Sequence, residues 1–294
     1  GLLGRLFGAL PSKLNIAFLN EYLPEESDWI RAHDLGREYL ETVMEDRVMT
    51  QAFYGLRTPE AADEAMEQAI GAGAQVVFTT TPSLISGCRK AAARHPDVRI
   101  LNCSVSMPYT GVRTYYSRLY EGKFITGAIA GALSMGDRIG YVASSPIFGV
   151  PASINAFAMG AQMTNPRARV ELRWSGVEQD AMGAMAREGL ALISNRDLPT
   201  PDRMCEPWGL CAACTDGSLH PLAAPYGHWG NFYVKLVKSI FSGGWNALKS
   251  DGRAVNYWWG MYSRVVGVLL ADEIPAGVRQ MAELLQRDIA NGSL

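Results

Sequence analysis

The stretch RTYYSRLYEGKFITGAIAGALSMGDRIGYVASSPIFGVPASINAFAMGAQMTNP, residues 113–166, decides the fold. It contains in order a short strand, a helix of small residues, a strand ending in a Ser-Ser-Pro turn, and a second helix, with charges confined to the joints. A segment so apolar in mid-chain is expected where two halves of the molecule meet. On its N-terminal side, LNIAFLN is a short apolar run bounded by polar residues, the mark of a strand buried on both faces. Ser27 or Asp28 then caps a helix through Trp29, Leu35, Tyr39, Leu40 and Val43. VMTQAFY reads as a second strand. Thr58-Pro59 opens a helix with Ala62, Ala65, Met66, Ala69 and Ile70 on one face and Gly71 and Gly73 at its end. QVVFTTT, SLISGCRKAAARH and VRILNCS continue as strand, helix and strand.

On the C-terminal side the alternation restarts through RIGYVAS, VPASINAFAMGAQM, RVELRWS, AMGAMAREGL and ALISNRD. A Pro-rich loop, LPTPDRMCEPW, leads to GLCAAC and the turn TDGS. NFYVKLVKSIFSGGW reads as a long helix stopped by Gly243-Gly244, NYWWG and VVGVLL as a returning strand and turn, and PAGVRQMAELLQRDIANG as the closing helix. Strand and helix in alternation predict two α/β lobes, each a parallel sheet with helices on both faces. Ligands of such sheets sit off the carboxyl ends of the strands, so an inter-lobe cleft lined by residues 20–29, 79–82, 104–109, 144–148, 174–180 and 195–202 is expected.

A length of 294 residues favours two lobes over one. The net charge of −2, with no lysine or arginine run, makes nucleic acid an unexpected partner. The longest charge-free apolar run, Phe124 to Gly136, falls short of the roughly 20 residues that span a bilayer, so no membrane-spanning segment is expected. Residues 1–12 read as a linker or a short helix; they lack the parts of an intact secretion signal and a lipid-accepting cysteine. The five cysteines are an odd number, mildly unfavourable for an oxidising compartment. Cys205, Cys211 and Cys214 lack a second ligand pair, and GLCAAC reads equally as a buried strand, so no metal is expected.

No nucleophile-elbow, phosphate-loop, zinc-protease or dinucleotide motif occurs, and no nucleophile stands beside a histidine. Binding is therefore expected over catalysis, and no cofactor is expected. His33 and His95 read as satisfied surface or helix residues. Aromatics carry the positive signal. Trp29, at the start of the first helix, can offer a flat face to a planar ligand, since stacking on an aromatic is worth roughly 1–3 kcal/mol per base. It can equally staple its own helix. Trp174, at the end of a strand in the opposite lobe, is the candidate second face and Tyr116 a further candidate, although core packing is the commoner role for both; Tyr22 lies in the post-strand stretch 20–29. Polar readers are Asn20, Thr80, Arg118, Glu121, Arg196 and Asp197; carboxylates accept from ring or exocyclic N–H groups and guanidiniums donate to carbonyls or ring nitrogens. Both signs leave adenine-like and hypoxanthine- or guanine-like ligands open.

The 113–174 run, together with WIRAHDLGREYLE, AQVVFTTT and HWGNFYVKLVKSIFSGGW, resembles the basic membrane protein family of substrate-binding proteins, which includes purine nucleoside receptor lipoproteins. The likeness keeps its order from Lys13 onward. It implies a two-lobed periplasmic-binding-protein-like (type I) fold with a hinge: residues 13–118 as lobe 1, 119–225 as lobe 2, and 226–294 returning across the hinge to complete both. It also implies closure on a purine or purine nucleoside. Trp29 falls where the family places its first base-stacking aromatic, and residues 118–121 match its polar base contact. Pro146, Ile147 and Phe148 match a Pro-Ile turn, and Asn155, Ala156 and Phe157 match an Asn-Gly/Ala-Phe helix. Nucleoside binders carry an aspartate after the strand matching GLCAAC and a lysine in a Gly-Leu-Lys turn; here the regions read CAACTDG and GMYSR, with Tyr262 in the lysine's place. Losing that charge-assisted hydrogen bond, worth about 1.5–3 kcal/mol, favours a free nucleobase, adenine-like first, over a nucleoside.

The resemblance implies an extracytoplasmic solute receptor feeding an ABC transporter permease. A cytoplasmic purine-sensing domain attached to an upstream region of a longer chain is the alternative that the cysteine count leaves open. A nucleosidase on the same fold is the alternative of a different class.

Overall fold

The computed structural model describes residues 10–105, 109–144, 146, 149–197, 208–248 and 255–294. In chain order the strands and helices are β1 (Leu14–Leu19), α1 (Asp28–Met44), β2 (Val48–Phe53), α2 (Pro59–Gly71), β3 (Val76–Thr79), α3 (Ile85–Arg94), β4 (Arg99–Cys103) and β5 (Val112–Ser117). They continue with α4 (Tyr120–Leu133), β6 (Arg138–Ala143), α5 (Val150–Thr164), β7 (Arg169–Trp174), α6 (Ala181–Arg187), β8 (Leu192–Ser194), β9 (Leu210–Ala213) and β10 (Leu219–Gly227). The chain closes with α7 (Trp229–Phe241), α8 (Gly244–Ala247), β11 (Asn256–Trp259), β12 (Val266–Leu270) and α9 (Ala276–Ala290). The chain divides into two units: residues 1–116 with 229–258, and residues 117–228 with 259–294.

The sheet of the first unit has the order β11-β5-β4-β3-β1-β2. Its strand pairs from β2 to β5 are parallel, with Leu19 opposite Phe53 and Thr79, and Cys103 opposite Tyr115. Successive side chains of a strand point to opposite faces. Ala17, Leu19, Val77 and Ile100 accordingly join Met66, Ala69, Cys88 and Ala91 of α2 and α3 in one core layer. Phe18 and Phe78 point the other way and meet Tyr233 of α7, with centroids 4.9 and 4.8 Å from its ring. Two caps fix the helix starts: Ser27 Oγ accepts from Ile30 N at 3.3 Å, and Thr58 Oγ1 from Ala61 N at 3.2 Å.

The sheet of the second unit has the order β12-β10-β9-β8-β6-β7. β7, β6 and β8 are parallel; β9, β10 and β12 are laid down antiparallel. The two-lobed α/β class is as the sequence implied, and the departure is this mixed second sheet. For the β9–β10 pair the reason is the short connection after β9: antiparallel neighbours need only a tight turn. That turn is closed by Cys214 N to Ser218 O at 2.8 Å and by Asp216 Oδ1 accepting from Ser218 N at 2.9 Å. The sequence reading assigned no strand to residues 219–227, because Pro221 and Pro225 interrupt the pattern. Pro221 sits at the register shift between β9 and β10, and Pro225 lies beyond the last residue paired with β9. Each proline's missing donor thus falls where the ladder asks for none.

α4 and α5 pack with their backbones almost in contact. A Cβ on Gly127 would run into the Phe157 carbonyl, and one on Gly160 into the Phe124 carbonyl. Only residues without a side chain permit that approach. No helix among the described residues is long and apolar enough to cross a membrane.

Candidate functional site

In the first unit, the residues after β1 and β3 form a closed hydrogen-bonded edge. Asn20 Nδ2 donates to Phe53 O at 3.1 Å, and Thr80 Oγ1 donates to Asn20 Oδ1 at 2.8 Å. Both residues are buried. These two side chains, singled out as polar readers, therefore tie the ends of β1, β2 and β3 together. The Thr80 carbonyl accepts from Trp29 Nε1 at 2.7 Å, which fixes the indole at the start of α1. Trp29 remains half-buried, with Tyr116 near-parallel to it at 6.2 Å and the edge of Trp229 at 5.6 Å. Its partners come from β5 and α7 as well as from its own helix, so it does more than staple α1. Tyr22 is half-buried with the Arg57 guanidinium 4.7 Å over its ring.

His33, expected as a satisfied surface or helix residue, lies in α1 and is fully buried beneath this edge, not at the surface. Its ring stacks on Trp229 at 4.0 Å and its Nδ1 lies 2.6 Å from Tyr233 Oη, while Nε2 is buried with no hydrogen-bond partner. Tyr233 Oη in turn lies 2.9 Å from Tyr115 Oη. Burial drives the His33 pKa well below its ordinary value, so the imidazole is neutral and the platform under Trp29 carries no charge. A helix position four residues after Trp29, on the same face, was the signal in the sequence for this residue.

The second unit offers a different edge. Asp197, three residues past β8, meets Lys123 of α4: Nζ lies 2.6 Å from Oδ1 and donates to Asn195 O at 3.1 Å, and it sits 5.0 Å from the Tyr141 ring. The Lys123 side chain is 4% exposed and that of Asp197 22%, so the ammonium is sealed in while the carboxylate keeps an open side. Burial pushes the Asp197 carboxyl up, opposed by the neighbouring ammonium. At Lys123 burial alone would lower the pKa, but Asp197 and Tyr141 together outweigh it and the pKa rises, which holds the ammonium protonated. Sequence reasoning missed Lys123, and a lone lysine within a small-residue helix was the available signal. Arg196 is exposed, with its guanidinium 4.2 Å over the Trp208 ring.

Glu121 accepts from Met261 N at 2.9 Å, and the Arg118 backbone N donates to Trp259 O at 2.7 Å. Glu121, named above as a polar reader of a base, thereby holds the turn after β11. Burial raises its pKa. Trp174 is half-buried at the carboxyl end of β7, on the sheet's edge. Phe148 lies outside the described residues, as do Ile147 and Cys205. Tyr262 is 83% exposed in the turn between β11 and β12. Among the described residues no group of histidine, cysteine and acidic side chains could hold a metal ion. Trp29, Tyr116, Asn20 and Thr80 thus gather in the first unit, and Asp197, Glu121, Arg118 and Trp174 in the second.

Two α/β units with polar and aromatic side chains at the carboxyl ends of their strands make a fold that solute-binding proteins share. The fold closely follows a solute-binding protein of an ABC transporter system from Conexibacter woesei, with a TM-score of 0.70, 16% identity and coverage of 96% of this chain and 97% of that one. The profile of the Bmp family, PnrA-like ABC transporter substrate-binding proteins, matches residues 15–187, and the chain belongs to that family. A purine-binding protein of Brucella abortus is 27% identical over 96% of this chain and 82% of its own length. A putative ABC transporter glucose-binding protein of Haloferax volcanii is 27% identical over 88% of this chain and 67% of its own.

Proposed function

We propose that this chain is the non-catalytic receptor of an ABC-type purine uptake system, taking a free nucleobase, adenine-like before others, and delivering it to a membrane permease. The observation that carries the reading is Trp29, a half-buried indole locked by its ring nitrogen to the Thr80 carbonyl and backed by neutral aromatics. Such a rigid face loses little freedom when a heteroaromatic ring stacks on it. Asp197, which keeps an open side next to the Lys123 ammonium, accepts N–H groups of the base. The fuller match to the Brucella relative favours a purine over a sugar. Tyr262, in the lysine's place, favours a base over its nucleoside.

Calorimetry with adenine, hypoxanthine, guanine, their nucleosides and glucose tests the assignment. Adenine binding at least tenfold tighter than adenosine or glucose is expected. Glucose binding without purine binding would overturn it.

A further inference from the structure

The opposite, amino-terminal edge of the first unit's sheet carries chemistry that purine binding does not use. Arg99 opens β4 and Arg113 lies second in β5. Arg113 is level with Leu101, so alternation along β4 sets Arg99 and Arg113 on the same face. Trp245 of α8 lies against both, with the Arg113 guanidinium 3.6 Å and that of Arg99 5.9 Å from its ring centroid. Arg113 is oriented by three hydrogen bonds: Nη1 donates to Tyr257 Oη at 2.6 Å and Nη2 to the carbonyls of Trp245 and Leu248 at 3.0 Å each, which leaves the second Nη1–H and Nε–H outside these bonds.

Arg99 is not engaged in this way. Its Nε is buried without a hydrogen-bond partner. Among the described residues neither guanidinium forms an ion pair with a carboxylate, although exposed Asp97 lines the same cavity. Burial and the charge of Arg113 together lower the Arg99 pKa. Two like charges held side by side, one with an orphaned buried donor, are costly unless an anion lies between them. The cavity they line has a volume of about 280 Å³, more than a bare oxyanion requires, and shares Tyr109 and Gly111 with a neighbouring cavity lined by Arg89 and Lys90.

We propose that Arg99 and Arg113 form an oxyanion site of the phosphate class at the amino-terminal edge of the first unit, separate from the purine site. The planar forks of two guanidiniums match the oxygens of a phosphoryl group, and Arg113 is already oriented by its carbonyl and phenol partners. The ligand is inorganic phosphate or the phosphoryl group of a small phosphomonoester, and the two are separated by titration.

Calorimetry of the intact chain at constant ionic strength, with inorganic phosphate in one arm and glycerol 2-phosphate in the other, tests the site. Saturable binding of at least one, weakened tenfold or more in Arg99→Gln, is expected; the tighter arm identifies the source. Heats indistinguishable from chloride dilution, or equal affinity in the variant, would overturn it. Thermal unfolding supplies a second readout. In phosphate-free buffer Arg99→Gln should melt at or above the wild-type temperature, and only the wild type should gain stability on adding the ligand. A lower melting temperature for the variant without phosphate would show that Arg99 supports the fold and refute the site.

Discussion

The two units begin from the same alternation of strand and helix and finish their carboxyl edges in opposite ways. The first closes its edge with neutral groups: Asn20 and Thr80 bonded to each other, a neutral His33, and rings from α1, β5 and α7. The second builds its edge around a sealed ammonium and a half-open carboxylate. Their helix layers differ as well. α1 and α7 meet through aromatic side chains as well as at Gly36 and Gly230, α4 and α5 through backbone at Gly127 and Gly160. The lesson is that one edge is made for shape and the other for charge, and that each unit's stability hangs on a different kind of contact.

The largest expected effect breaks the second edge. Lys123→Met leaves Asp197 half-buried beside an apolar chain and should cost about 3–5 kcal/mol in denaturant unfolding at neutral pH. Pairing it with Asp197→Leu should recover most of that loss; no recovery would mean that Lys123 acts through packing alone. Gly127→Val drives a side chain into the Phe157 carbonyl and should cost about 3 kcal/mol or more, again by denaturant unfolding, whereas a comparable change on the solvent face of α1 should cost little.

Trp29→Ala probes the first edge. It should weaken adenine binding at least tenfold, in line with the roughly 1–3 kcal/mol of a stacked base, while far-UV circular dichroism at about 25 °C shows the same fold. Unchanged affinity would remove the stacking platform from the purine site.

The smallest effect concerns His33. Its folded pKa lies below its ordinary value of 6.5, so its contribution to stability is complete above that pH. As pH falls below 6.5 the unfolded chain takes up a proton that the folded chain refuses, and stability declines by at most about 1.4 kcal/mol per pH unit down to the folded pKa. His33→Phe should flatten that part of the stability–pH curve; an unaltered slope would assign the loss to other groups.

Much of this was legible in the sequence. The alternation of LNIAFLN-type runs with capped helices specifies two α/β lobes, because a strand buried on both faces and an amphipathic helix leave few other arrangements. Trp29 was legible for the same reason, as an aromatic where a post-strand loop meets a helix. β10 was not, because Pro221 and Pro225 erase the local strand signal and only the register with β9 and β12 shows why they are tolerated. Asn20, Thr80 and Glu121 read as ligand contacts because their residue types suit a base. The structure shows Asn20 bonded to the Phe53 carbonyl and to Thr80, and Glu121 to the Met261 amide, and residue type alone cannot choose between such partners and a ligand. Lys123 escaped notice because its partner lies 74 positions along the chain.

The passage of the chain between units at Tyr116/Ser117, His228/Trp229 and Trp258/Trp259 bears on how the protein is made. Phe18 and Phe78 leave the ribosome early, yet Tyr233, the ring that completes their layer, emerges only after residues 117–228 have been synthesised. During translation the first-made sheet must wait with one aromatic face uncovered. That interval is when a chaperone has most to shield, and it sets the minimum length of nascent chain that can resist a protease.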